Sequence, residues 1–210
     1  MNLGLNGLTG VNANVDISSL DVETALMAVQ SRRAALLEDQ LKSQLDTVQA
    51  RNDQIAKLND ALAALNHMNG MFDGKTDLNA KLEKQGAWKA EAASNYPTER
   101  ATNSALIDAG VLNLKLTGNE EGGGGVTNHK DADGKEVRLP NGVRGDVTKG
   151  QIERAIQEIK GQIDSASNSQ QMEMLRLQSL SNKRNESFDV MTNFIKKMQE
   201  SRSSIIGNMR

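Results

Sequence analysis

Between Ser19 and Asn69 the chain carries neither glycine nor proline, and apolar residues return every seven positions along that stretch. Leu20, Met27, Ala34, Leu41, Val48, Ile55 and Leu62 hold one position of the repeat. Leu37, Leu58 and Leu65 hold its partner position, which Gln44 and Arg51 interrupt. A breaker-free segment with this period predicts a single helix whose apolar seam requires another helix against it. At 1.5 Å per residue such a helix is roughly 70 Å long, further than an isolated helix of a globular domain runs. Ser18 or Ser19 is placed to cap its start, and Asp21 and Glu23 suit the positive end of its dipole. The sequence "NGMFDG", beginning at Asn69, ends it.

From Thr148 a helical pattern resumes. Ile156, Ile163, Gln170, Leu177, Arg184, Met191, Met198 and Ile205 share one seven-residue phase, flanked by Met174, Phe188, Ile195 and Met209. Leu175, Leu180, Phe194 and Ile206 form part of a second apolar face. A helix with two apolar faces meets two partners. The first helix is one, and the other lies outside the monomer. This reading assigns Met27, Leu37, Leu41, Val48, Ile55, Leu58, Leu62 and Leu65 to an intramolecular seam. It assigns Ile163, Met174, Leu177, Leu180, Arg184, Phe188, Met191, Phe194, Ile195, Met198 and Ile205 to an assembly interface.

Residues 70–148 differ in kind, holding both prolines (Pro97 and Pro140) and most of the glycines. A short helix is predicted over "TDLNAKLEKQ" and another over "PTERATNSALIDAG", with Pro97 in its first turn. "VLNLKL" alternates like a strand, "NEEGGGG" reads as a flexible loop, and "DADGKEVRLPNGV" places two turn signals around a short strand. The predicted fold is mainly α: long N- and C-terminal helices paired as an antiparallel coiled coil, with a small α+β or partly disordered insert between them. The expected division is a flexible arm at 1–17, helix 1 at 18–69, the insert at 70–148 and the assembly helix at 149–210.

Composition narrows the function. Aromatic residues make up 2% of the chain, so Leu, Ile, Met and Ala must build the core, as suits helices packed side by side. The 25 basic and 27 acidic side chains are interspersed, without the basic stripe nucleic acid needs. The absence of cysteine excludes disulfides and thiolate chemistry. No apolar run approaches the ~20 residues of a membrane span. Residues 1–15 carry no charge and lack the basic start and apolar block of a cleavable signal peptide. The arm is accordingly a candidate signal for export by another route.

Candidate chemistry is sparse. His67 and His129, the only histidines, lie 62 positions apart and read as surface residues rather than a catalytic or metal pair. "HKDADGKEVRLP" has Asp131 and Asp133 at calcium-loop positions, but His129 and Pro140 stand where acidic ligands belong, so a hairpin turn is the better reading. "EEGGGG" lacks the Gly-Lys-Ser/Thr ending of a phosphate loop. No cofactor is called for, and an enzyme is not expected. Met172, Met174, Met191, Met198 and Met209 suit either helix core or an adaptable interface. Asn52, Asn59 and Asn66 lie every seven residues on the edge of the first stripe, as a solvated edge or a register device. Seven basic and three acidic residues among the last 35 complement a helix C-terminus or an anionic partner.

The two ends carry a resemblance. "LQSLSNKRNESFDVMTNFIKKMQESRSSIIGNM", with an Asn-led turn near Asn185 and the step at Phe194, Ile195 and Lys197, resembles the C-terminal helix of type III secretion needle-tip proteins, including the V antigens. "DISSLDVETALMAVQSRRAALLEDQL" is similar to the start of the filament-forming secreted tip proteins of Bordetella. The plan of long terminal helices around a variable middle resembles the EspA-type sheath filament. The resemblance covers 20–60 and 170–210. It implies a secreted virulence protein that assembles with itself into a tip filament or conduit on a bacterial needle. The implied partners are the needle subunit, the translocators of the translocon and, before export, a cytoplasmic chaperone. The alternatives are a flagellin-like or hook-associated subunit, and an intracellular coiled-coil adaptor or chaperone.

Overall fold

The computed structural model describes residues 22–112, 114–116, 129–130, 134–137 and 142–208. The predicted arm, the caps at Ser18 and Ser19, the glycine run, Asp131, Asp133 and Met209 lie outside them. The chain is mainly helical, and its two long helices, α1 (Val22–Asn69) and α4 (Lys149–Asn208), pack against each other. Two compact units divide it: Leu45–Leu175, and Met1–Gln44 together with Arg176–Arg210.

In the unit Leu45–Leu175, Leu58, Leu65 and Met68 of α1 and Ile152, Ile156 and Ile159 of α4 supply the buried long-helix side chains. Leu82, Leu106, Ile107, Val143 and Val147 complete that core. α1 ends where Gly70 N–H donates to Asn66 O at 3.0 Å and Phe72 N–H to Asn69 O at 3.2 Å, turning the Phe72 ring back into the core. α4 begins on a reciprocal cap. Thr148 N–H donates to Gln151 Oε1 at 2.8 Å, and Gln151 N–H donates to Thr148 Oγ1 at 3.3 Å. This Thr-x-x-Gln box satisfies two of the donors that a helix start leaves bare.

The middle segment departs from two expectations. "TDLNAKLEKQ" does not form an α-helix. Asn79 N–H is taken by Asp77 Oδ1 in a side-chain turn, Lys81 bridges to Thr148, and Leu82 N–H donates to Val147 O, leaving one 3₁₀ turn at Leu82–Lys84. Tertiary pairing with residues 145–150 takes the backbone groups a helix would have used. "VLNLKL" does not join a sheet. Among its described residues Val111 and Leu116 are buried, Lys115 adopts a positive φ of 48°, and none is paired in a strand. Two further helices follow the 3₁₀ turn, α2 (Gly86–Ala90) and α3 (Pro97–Asp108), the latter with Pro97 at its start. β1 (His129–Lys130) and β2 (Glu136–Val137) pair antiparallel. Asn103, buried on α3, donates from Nδ2 to Val143 O at 2.9 Å and accepts Val143 N–H on Oδ1 at 2.7 Å. That reciprocal pair fixes the strand-like return to α4.

In the other unit, Ala34 and Leu37 of α1 are buried and Leu41 is half-buried. Ser187 of α4 is buried, and its Oγ donates to Gln30 Oε1 at 3.4 Å. Gln44, read as an interruption of the seam, is buried too.

Candidate assembly surface

Of the predicted seam residues on α1, Leu37, Val48, Leu58 and Leu65 are buried, Leu41, Ile55 and Leu62 are half-buried, and Met27 is exposed. Arg51, the second predicted interruption, is a working member of the seam: its Nη2 stands 3.3 Å from Glu173 Oε1. One turn away Gln170 Nε2 donates to Asn52 Oδ1.

The predicted interface residues on α4 divide into two sets. Ile163, Leu177, Leu180, Arg184, Met191, Phe194 and Met198 are half-buried within the chain. Met174, Phe188 and Ile195 are exposed. Leu180 and Phe194, expected on a second face, share the phase of Ser187, the best-buried residue of that part of the helix. Ile205 is helical, and its side chain lies outside the description. The sequence reading missed the row Ile152, Ile159, Ala166, Glu173, Leu180, Ser187 and Phe194. Its seven-residue spacing was there to find, but Ala, Glu and Ser in it masked the period.

After these contacts are made, apolar surface remains bare. In the unit Leu45–Leu175, Met172, Met174 and Leu175 are exposed on α4. In the other unit Phe188, Val190 and Ile195 are exposed on α4, and Leu26, Met27, Val29 and Leu36 on α1. Within their unit Phe188 and Ile195 hold one heptad position, seven residues apart, so they lie on one face of the helix. Scattered exposed leucines are normal, whereas a contiguous apolar row marks a contact surface.

A second feature is polar and lies in the unit Leu45–Leu175. The chain's only tryptophan and only tyrosine, Trp88 and Tyr96, stack with ring centroids 4.1 Å apart at 18°. Trp88 Nε1 donates to Glu99 Oε2 at 3.3 Å. Burial raises the Glu99 carboxyl above its ordinary value, the Trp88 hydrogen bond and the Arg144 charge opposing the rise and Asp146 and Glu91 adding to it. These groups, Glu83 and Gly145 border a cleft of about 460 Å³. Nothing in "GAWKA" or "PTERA" points to a site by itself, because its members meet only through the tertiary pairing of 78–83 with 145–150.

Among the described residues no cluster of three or more His, Cys, Asp or Glu side chains is placed to hold a metal ion, and no helix is long and apolar enough to cross a membrane. No family model, curated protein or solved structure matches the chain.

Proposed function

We propose that the protein is a secreted structural subunit that assembles with its own copies into a tip filament or conduit on a bacterial type III secretion needle, linking needle to translocon. The observation that carries this reading is the apolar surface left bare on α4 after the long helices have satisfied each other: Phe188 and Ile195 on one face in one unit, and Met172, Met174 and Leu175 in the other. In this reading the long helices form an antiparallel coiled coil and residues 70–148 are the insert between them. The order of contacts supports that arrangement, since Gln30 meets Ser187 while Arg51, further along α1, meets Glu173, further back along α4. A second copy covers the bare surface by a heterologous contact that does not close, which generates a helical assembly. The end of α4 lies toward the lumen. A cytoplasmic chaperone shields this bare apolar surface before export. The sequence resemblance at both ends supports the placement at a needle. The protein works by assembly and not as an enzyme.

The test is negative-stain electron microscopy of the purified full chain over a concentration series, beside Phe188→Asp. Filaments of constant width in the parent and their absence in a still-helical variant are expected. Parent and variant polymerising alike, or closed particles of one size at every concentration, would overturn the filament reading.

A further inference from the structure

The cleft beside Trp88 contains none of the residues proposed for assembly, yet three unusual features meet there. The first is composition. A chain almost devoid of aromatics places its only Trp and Tyr face to face at a surface cleft, where Trp88 also packs against the core. The second is conformation. Asn95 and Tyr96 are consecutive non-glycine residues in the left-handed region, at φ 57° and 52°. Such residues are strained and persist only where the surroundings hold them. Here Glu91 does so, accepting from Thr98 N–H at 3.0 Å and from Thr98 Oγ1, and the turn brings Tyr96 onto Trp88. The third is charge. Glu83, Glu99 and Asp146 face one guanidinium, Arg144, whose charge already acts on Glu99. Asp146 keeps Oδ1 buried without a hydrogen-bond partner, which leaves that oxygen open to a donor.

We propose that this cleft is a binding site for an alkylammonium or guanidinium group. Ring faces attract a cation through their quadrupole, and a cation held among carboxylates in a partly dry cleft gains charge-assisted hydrogen bonds. An anion would meet three carboxylates for one guanidinium. Gly145 leaves room for the Trp88 ring and Glu83 to pack closely against it. Its carbonyl is pinned by Glu83 N–H at 2.7 Å, and a Cβ there would stand 3.0 Å from Trp88 Cη2 and Cζ2. The cation comes either from a free amine or from an arginine or lysine side chain of a protein partner.

Because Trp88 is the only tryptophan, intrinsic emission reports on this site alone. The full chain is titrated at constant ionic strength with n-butylammonium, n-butylguanidinium and N-acetyl-Gly-Arg-Gly amide, with sodium butyrate as the anionic control. A saturable emission change with at least one cationic probe and none with butyrate is expected. Affinity should fall about tenfold or more in Asp146→Asn and in Glu99→Gln, with far-UV circular dichroism unchanged. Should either charge variant misfold, Gly145→Ala displaces the Trp88 ring without altering charge and should weaken binding likewise. Tighter binding of the peptide assigns the cation to a partner chain, and tighter or equal binding of the free cations assigns it to a small amine. No saturation with any cation, an equal response to butyrate, or parental affinity in the folded variants overturns the proposal.

Discussion

Leu175→Glu separates what α4 does within the chain from what it does between copies. Leu175 is 61% exposed, so most of its side chain does nothing for the monomer. Burying a whole leucine is worth about 1.5–3 kcal/mol, so covering the bare part in an assembly contributes about 1–2 kcal/mol. At about 1.4 kcal/mol per tenfold, its loss raises the concentration at which assembly begins by about 5- to 30-fold. A buried glutamate carboxylate opposes assembly further, which makes that range a lower bound. The monomer should hardly notice. Leu and Glu have similar helix propensities, and an exposed substitution changes stability by within about 0.5 kcal/mol. For a chain of this size that is a melting shift of no more than about 2 °C. Sedimentation velocity over a concentration series gives the onset of assembly, and a thermal melt at low concentration gives the monomer. An onset within about twofold of the parent would refute a part for the bare surface around Leu175 in assembly. A melt lowered by many degrees would show that Leu175 is a core residue after all.

Two predictions concern the middle of the chain. Asn103→Ala strips Val143 of both its buried partners, at about 1–3 kcal/mol for each stranded group, so urea unfolding should show a loss of about 2–5 kcal/mol. A loss below about 1 kcal/mol would mean that solvent reaches Val143. Glu99→Gln tests the buried carboxyl through pH. Because burial raises its folded pKa above the ordinary 4.5, the folded state binds this proton more tightly than the unfolded state. The parent therefore loses stability from this group as pH rises from 4.5 through the raised value, and has no such loss below 4.5. Melts of the two proteins should separate in the variant's favour toward neutral pH and converge in acid. A separation that grows toward acid would reverse the reasoning.

The long helices were legible because their signals are local: no breaker for fifty residues, and a period that any seven-residue window repeats. Which polar residues belong to the seam was not. Arg51 reads as a defect until Glu173 stands opposite it, and Ser187 reads as surface until the helix beside it leaves no room for anything larger. "TDLNAKLEKQ" has helical composition and lost its helix to a pairing partner some seventy residues away. The cleft is the limiting case. Trp88, Glu99 and Asp146 come from three segments, and only the backbone pairing around Gly145 and the Asn103 clasp bring them together.

That clasp has a further consequence. Asn103 and Val143 close 40 positions of chain with one side chain. Once such a closure exists, the entropy of what it spans grows only logarithmically with length, so doubling the span costs about 0.6 kcal/mol. Past Leu116, the last buried core side chain before Val143 among the described residues, sequence can then be added at little thermodynamic penalty to the helices. In the proposed assembly, this span is where the exterior can be altered while the contacts between copies stay the same.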